Sequence, residues 1–320
     1  MLDVRGLRVA FHTRNGVVPA LHGVTFSLPP GTVTGLVGES GCGKTLTALA
    51  IMRLLRPPAE IQGGDVRLEG RDLRALAERQ MARVRGEGIA MIFQQPRASL
   101  NPVFPVAAQL VHVLRLHRGL SRGAARAEGE ALLARVGLAR PDAVMRAYPH
   151  QLSGGMCQRV MIALALACRP RVLLADEPTT ALDVTVQLQI VELLRGLQRE
   201  FGLTVLLITH DLGLVAEMCD HVHVMYAGRI VESATAAALF RRPAHPYTRG
   251  LMAARVGTGS RALPTGIPGR VPALAETPSG CPFHPRCPLA GPGCAERDPD
   301  SEAVEAGHAV RCHYWRSGVA

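Results

Sequence analysis

Gly38-Glu39-Ser40-Gly41-Cys42-Gly43-Lys44-Thr45 is the stretch from which the rest of the chain is read. It fits G-x-x-x-x-G-K-S/T, a loop whose glycines let backbone N–H groups wrap a phosphate while the next helix offers its positive N-terminus. Lys44 can reach the β- and γ-phosphates, and the Thr45 hydroxyl can ligate Mg²⁺. Gly38, Ser40, Gly41, Cys42 and Gly43 form the wall of the loop. The flanks supply the confirming context: Thr32–Val37 is a β-rich run, and Thr45–Leu55 has helical periodicity. Residue usage points the same way. Of 36 basic residues all but Lys44 are arginine, so the single lysine falls where a compact ammonium is wanted rather than a planar fork.

Composition bounds the rest. The 320 residues suffice for one large domain, or one domain plus an appendage. With 48% hydrophobic and 19% charged residues a packed core is expected and wholesale disorder is excluded. Aromatics are only 4%, so that core must be aliphatic. A net charge of +10 can address nucleic acid or an anionic membrane, but the arginines are dispersed and form no basic run, which argues against a nucleic-acid surface. The N-terminal MLDVRGLRVAF has no apolar signal-peptide core. The longest apolar run, Val160–Cys168, is about half the ~20 residues that span a bilayer. A cytosolic chain is expected, able to dock on a membrane without entering it.

Further strands are expected at residues 2–11, 22–28, Ile89–Phe93, Val172–Ala175 and Thr204–Ile208. Helices are expected over Val106–Val136, broken at Gly119–Gly123, over Met156–Cys168 and over Val184–Phe201. Short apolar strands alternating with helices predict an α/β fold with a parallel sheet covered on both faces. Composition shifts near Pro243 to Pro, Gly and Cys, so 1–242 and 243–320 are expected as a main domain and an extension, with a loop-rich linker at 256–272.

After the run Val172–Ala175 come Asp176 and Glu177. An aspartate at a strand's C-terminal end is placed to hold Mg²⁺, and Glu177 could deprotonate the attacking water.

Leu152-Ser153-Gly154-Gly155-Met156, taken in order with the phosphate loop and Asp176–Glu177, resembles the ABC-type ATPases over roughly residues 1–240. The resemblance implies that fold with a helical subdomain at about 100–165. Gln94 resembles the family's Q-loop and is implied as a second Mg²⁺ ligand. Ala181-Leu182-Asp183 resembles the D-loop, His210 the switch histidine, and Phe11 lies where an aromatic often stacks on adenine. Ser153 and the two glycines open a helix and make a second anion site. The family arrangement places Ser153–Gly155 of one subunit against the phosphate loop of another, with two ATPs between them.

MIFQQPRASLNP (91–102), LSGGMCQR (152–159), ADEPTTALDVTV (175–186) and His245-Pro246-Tyr247-Thr248 are similar to the ATPase subunits of oligopeptide/dipeptide importers. Gln95 and Cys157 depart from that pattern, standing where Asp and Arg are usual. The resemblance implies an ATPase that powers peptide import. It implies as partners a second, sister ATPase subunit, two membrane-spanning permeases and an extracytoplasmic solute-binding protein, with the chain peripheral on the cytoplasmic face of the inner membrane. An importer of nickel or another solute is the alternative. A soluble ATPase acting on nucleic acid or ribosomes is disfavoured by the single motif set and the lack of a long heptad run.

Cys281, Cys287, Cys294 and Cys312 crowd the last 40 residues, and prolines follow the first two. Four thiolates suit a 4Fe-4S cluster first and structural Zn²⁺ second, with unliganded thiols as the third reading. The spacing resembles the importers' C-terminal extension, where it can hold such a cluster. His284, His308 or His313 could replace one ligand.

Overall fold

The computed structural model describes residues 1–180, 182–254 and 266–318. In chain order its first elements are β1 (Leu2–Thr13), β2 (Gly16–Leu28), β3 (Val33–Val37), α1 (Lys44–Ile51), β4 (Ala59–Leu68), β5 (Arg71–Asp72), α2 (Glu78–Glu87), β6 (Ile89–Ile92), α3 (Pro96–Ser99), α4 (Val106–Arg118), α5 (Arg122–Arg135) and α6 (Pro141–Arg146). There follow α7 (Gly154–Leu166), β7 (Val172–Asp176), α8 (Val184–Phe201), β8 (Thr204–Thr209), α9 (Leu212–Met218), β9 (His221–Tyr226), β10 (Arg229–Thr235), α10 (Ala236–Arg241), α11 (Pro246–Ala253), β11 (Glu302–Glu305) and β12 (His308–Val310). Two compact units result. The first comprises Met1, Pro29–Gly31 and Ala75–Leu206, and the second Leu2–Leu28, Thr32–Arg74 and Leu207–Ala320.

In the second unit, β1 and β2 form a long hairpin with pairing from Leu2↔Leu28 to Thr13↔Gly16. Thr13 closes its turn, donating to the Gly16 carbonyl at 2.8 Å and accepting from the Asn15 amide at 3.2 Å. The expected strands at 2–11 and 22–28 are therefore longer. Pro19 blurs the alternation of β2, yet pairing continues through Ala10↔Pro19. With β4 and β5 the hairpin makes an antiparallel sheet ordered β2-β1-β4-β5, which alternation alone did not reveal. A second set of strands in this unit runs β11-β12-β10-β9-β3. Here β3 and β9 are parallel, from Thr34↔His221 to Val37↔Val224. β12 extends this set along β10 at Glu232↔Val310 and Ser233↔Ala309, and Ala244, Val310 and Trp315 pack beside it.

In the first unit β6 and β7 pair in parallel, from Ile89↔Val172 to Ile92↔Ala175. Every residue of both is buried, which suits parallel strands covered on two faces. The expected helical stretch after Val106 does break near Gly119. That residue ends α4 in the left-handed conformation, and the Ser121 hydroxyl caps α5 by accepting from the Ala124 amide at 3.3 Å. Leu110, Leu114, Leu133 and Ile162 are fully buried, and each such side chain is worth about 1.5–3 kcal/mol. Among the described residues no helix is long and apolar enough to cross a membrane. The linker expected at 256–272 falls mostly outside the described residues.

Candidate active site

The expected site residues are divided between the two units. In the second unit the buried strand β3 delivers the chain to Gly38, and α1 begins at Lys44. Gly38 has φ +154, and a Cβ there would lie 2.2 Å from the Met225 carbonyl oxygen, so no side chain fits. Gly43, the cap of α1, has φ +110, a conformation open to glycine. Lys44 is 5% exposed, and its Nζ donates to the Gly38 and Glu39 carbonyls at 2.7 and 3.0 Å. The ammonium is thus folded against the loop that is expected to hold phosphate. Ser40, Gly41 and Thr45 are exposed along this loop. Cys42 is not: its side chain is 1% exposed, and burial pushes its thiol up. Only its backbone can line a ligand.

Glu39 is anchored through residues far along the chain. Its amide donates to the Tyr247 hydroxyl at 2.8 Å, and its carboxylate accepts two hydrogen bonds from Arg286, at 2.8 and 3.0 Å. The Arg286 guanidinium lies over the Tyr226 and Phe283 rings, 5.7 and 5.9 Å from their centroids. Sequence reasoning missed Glu39 and Arg286 as a pair. The available signals were His245-Pro246-Tyr247-Thr248 and an arginine between Cys281 and Cys287. Within that motif His245 caps α11, its Nδ1 accepting from the Tyr247 amide at 3.0 Å. His245 is 1% exposed, and burial pushes its imidazole down to about 4.

Phe11 is half-buried in β1, paired with Val18 and Ala59, within the strand expected at 2–11. His210 is exposed directly after β8. The next residue, Asp211, caps α9 by accepting from the Gly213 and Leu214 amides at 2.7 and 3.3 Å, which fixes the turn carrying His210.

In the first unit Asp176 ends β7 and is 1% exposed. Glu177 follows at φ +45, left-handed backbone that costs a non-glycine residue roughly 1–3 kcal/mol. Its Oε2 accepts from Gln94 Nε2 at 2.9 Å and from the Thr180 hydroxyl at 2.8 Å. Gln94 and Glu177, far apart in sequence, are thereby in direct contact. Ser153 caps α7, its hydroxyl accepting from the Met156 amide at 3.2 Å. A Cβ on Gly155 would meet Val186 Cγ1 at 3.0 Å, so α7 and the start of α8 approach closely there. Asp183 caps α8, accepting from the Val186 amide at 3.0 Å. Ala181, of the expected D-loop, lies outside the described residues. Cys157 is fully buried and donates to the Pro149 carbonyl at 3.5 Å, which accounts for a small thiol in place of a long charged side chain. Gln95 is exposed at the start of α3.

The four C-terminal cysteines are drawn together without closing a cage. Cys281 donates its amide to the Cys294 carbonyl at 2.8 Å. Burial pushes the Cys281 and Cys312 thiols up to about 11, and neighbouring cysteines add to the shift. Among the described residues no three His, Cys, Asp or Glu side chains stand as a metal-holding group, so the expected ligand cage is not formed. The histidines expected as substitutes have other partners: His308 is bonded to Glu232 at 2.8 Å and His284 to the Cys281 carbonyl at 2.9 Å. His313 is bonded to the Arg297 carbonyl at 2.8 Å.

The ABC transporter family profile matches residues 21–180, and that of the oligopeptide/dipeptide transporter C-terminal region matches residues 231–294. A probable peptide ABC transporter ATP-binding protein of Sinorhizobium fredii is 51% identical, over 99% of this chain and 95% of its own. The oligopeptide transport ATP-binding protein AppD of Bacillus subtilis is 45% identical, over 98% of this chain and 96% of its own. Among solved structures, a dimeric ATP-binding cassette in a post-hydrolysis state, bound to ADP and Pi, is 27% identical with a TM-score of 0.67, covering 74% of this chain and 99% of that one. The chain belongs to the ABC transporter ATPases and has the mixed α/β cassette fold of that family.

Proposed function

We propose that the chain hydrolyses ATP to power the import of di- and oligopeptides through membrane-spanning permeases. Lys44 and the loop amides hold the phosphates, and the oxygen donors of Thr45, Asp176 and Gln94 suit Mg²⁺, a hard cation. Glu177 takes a proton from the attacking water as the new P–O bond forms and ADP leaves. His210 assists at the γ-phosphate, Phe11 stacks on adenine, and Ser153–Gly155 and Asp183 meet the nucleotide of a neighbouring subunit. The observation that carries the hydrolytic assignment is the 2.9 Å hydrogen bond from Gln94 to Glu177, which aims a fixed amide at the proposed base. Peptide import is supported by the match at 231–294 and by the relatives that are oligopeptide transport ATP-binding proteins.

Residues 1–242 are the ATPase domain, 243–320 the extension, and the chain works at the cytoplasmic face of the inner membrane. Its partners are a sister ATPase subunit, two permeases and an extracytoplasmic binding protein. Reconstitution with those permeases in vesicles tests this: peptide-stimulated ATPase activity is expected, and stimulation by nickel alone would transfer the assignment to a metal importer.

The four thiols carry a separate part of the proposal. Their donor set suits a 4Fe-4S cluster, with Zn²⁺ as the alternative, and the hydrogen bond from the Cys281 amide to the Cys294 carbonyl already joins two of them. Anaerobically purified protein is expected to be brown. A colourless sample with stoichiometric zinc would replace the cluster by zinc, and one with neither metal would leave four thiols.

A further inference from the structure

Glu39 is held at its amide, its carbonyl and its carboxylate. Tyr247 accepts from the amide at 2.8 Å, and Lys44 donates to the carbonyl at 3.0 Å. Arg286 grips both carboxylate oxygens. A residue fixed at these points has little freedom, and Lys44 shares its restraint. Arg286 is itself immobilised. Its side chain is 6% exposed, its Nε donates to the Pro268 carbonyl at 2.7 Å, and one terminal nitrogen also reaches the Tyr226 hydroxyl at 3.3 Å. Two parallel bonds from a planar guanidinium fix direction as well as distance, which a lysine cannot do.

Arg286 also belongs to a short turn bounded by thiols. His284 donates its amide to the Cys281 carbonyl at 3.0 Å, and Cys287 donates to the His284 carbonyl at 3.2 Å. Tyr247 comes from the first turn of α11. Both contacts to Glu39 therefore originate after residue 243, beyond the stretch 21–180 that matches the ABC transporter family.

We propose that the C-terminal segment braces the nucleotide loop, with Arg286 and Tyr247 as positioning residues that set ATP affinity through Glu39, a role that depends on the loop at 38–45 holding ATP. The brace acts on binding more than on the chemical step, because it fixes the loop backbone and Lys44 rather than the proposed base.

The test uses the full chain and four variants: Arg286→Ala, Arg286→Lys, Glu39→Gln and the double variant Glu39→Gln/Arg286→Ala. Equilibrium ATP binding and the split of KM against kcat are measured well below each variant's Tm. Arg286→Ala and Glu39→Gln are each expected to raise Kd and KM about tenfold, the factor that ~1.4 kcal/mol represents, with kcat little changed. The double variant is expected to be no worse than either single, because both remove one interaction. Arg286→Lys is expected not to restore affinity. Effects that multiply in the double variant would overturn the proposal, as would unchanged ATP affinity in a folded Arg286→Ala chain. If Arg286→Ala fails to fold, Glu39→Gln decides, since its side chain is 30% exposed and the amide keeps the carboxylate's shape. A wild-type chain that bound no ATP would instead overturn the assignment of the loop, so the two failures are distinct.

Discussion

Two glutamates stand beside the phosphate motifs, and they are held in opposite ways. Glu39, in the second unit, has both carboxylate oxygens taken by one guanidinium. Glu177, in the first unit, receives an amide from Gln94 and a hydroxyl from Thr180 on one oxygen. A guanidinium fixes a carboxylate and satisfies its charge. An amide and a hydroxyl direct a carboxylate without bringing a formal counter-charge of their own. The same side chain is an anchor in one unit and the proposed base in the other.

The sharpest way to break this contrast is Glu177→Gln. It is expected to lower kcat by about 10²–10⁴-fold while ATP binding persists, measured by steady-state hydrolysis and equilibrium binding. Glu39→Gln should shift affinity instead. If both variants lost turnover equally, the division into base and anchor would fail. Next comes Lys44→Arg, which keeps the charge but brings a planar fork into a site whose ammonium bonds two carbonyls at 2.7 and 3.0 Å. It is expected to reduce kcat/KM by roughly 10²-fold, and normal activity would remove the geometric case for lysine.

A third prediction tests the acid response of the second unit. Burial pushes His245 down to about 4 from its ordinary 6.5, so the unfolded chain binds a proton there that the folded chain refuses. Stability from this residue is complete above pH 6.5 and declines as pH falls toward 4, by up to roughly 3 kcal/mol. Glu232 acts in the same direction at lower pH. Burial opposes its charge, but His308 and the Ala244 and His245 amides outweigh it and hold the carboxyl below its usual range. Its contribution is present above the unfolded value and is lost as pH falls through the folded one. Urea unfolding at pH 8 and pH 5 should show a smaller loss for His245→Asn than for wild type, and equal losses would remove His245 from the acid response. The smallest effect belongs to the first unit. Gly155→Ala puts a methyl 3.0 Å from Val186 and should cost about 1 kcal/mol in thermal unfolding, whereas no change in Tm would mean that α8 yields there.

The phosphate loop was legible because its chemistry needs glycine and lysine at fixed offsets. Strands β6 and β7 were legible because burial on both faces leaves short apolar runs, at Ile89–Ile92 and Val172–Ala175. The remainder was hidden for physical reasons. β4 carries Gly63 and Gly64 in mid-strand, and β11 and β12 are only 4 and 3 residues long, too short for a period to show. The anchor on Glu39 joins residues 208 and 247 positions apart, and no local pattern announces a contact of that span. The four cysteines were visible as a set, but whether spacing becomes a cage depends on how the turns around them close.

Lys44 has a practical consequence. A protease that cuts only after lysine has a single susceptible bond in this sequence, Lys44–Thr45, and in the folded chain that lysine is 5% exposed at the start of α1. Cleavage there requires the loop to open, so the rate of this one cut, read as two fragments on a gel, reports local unfolding of the nucleotide loop and little else. ATP should slow it. The protein carries its own proteolytic probe, placed by a residue bias that left one lysine at the one position that could not do without it.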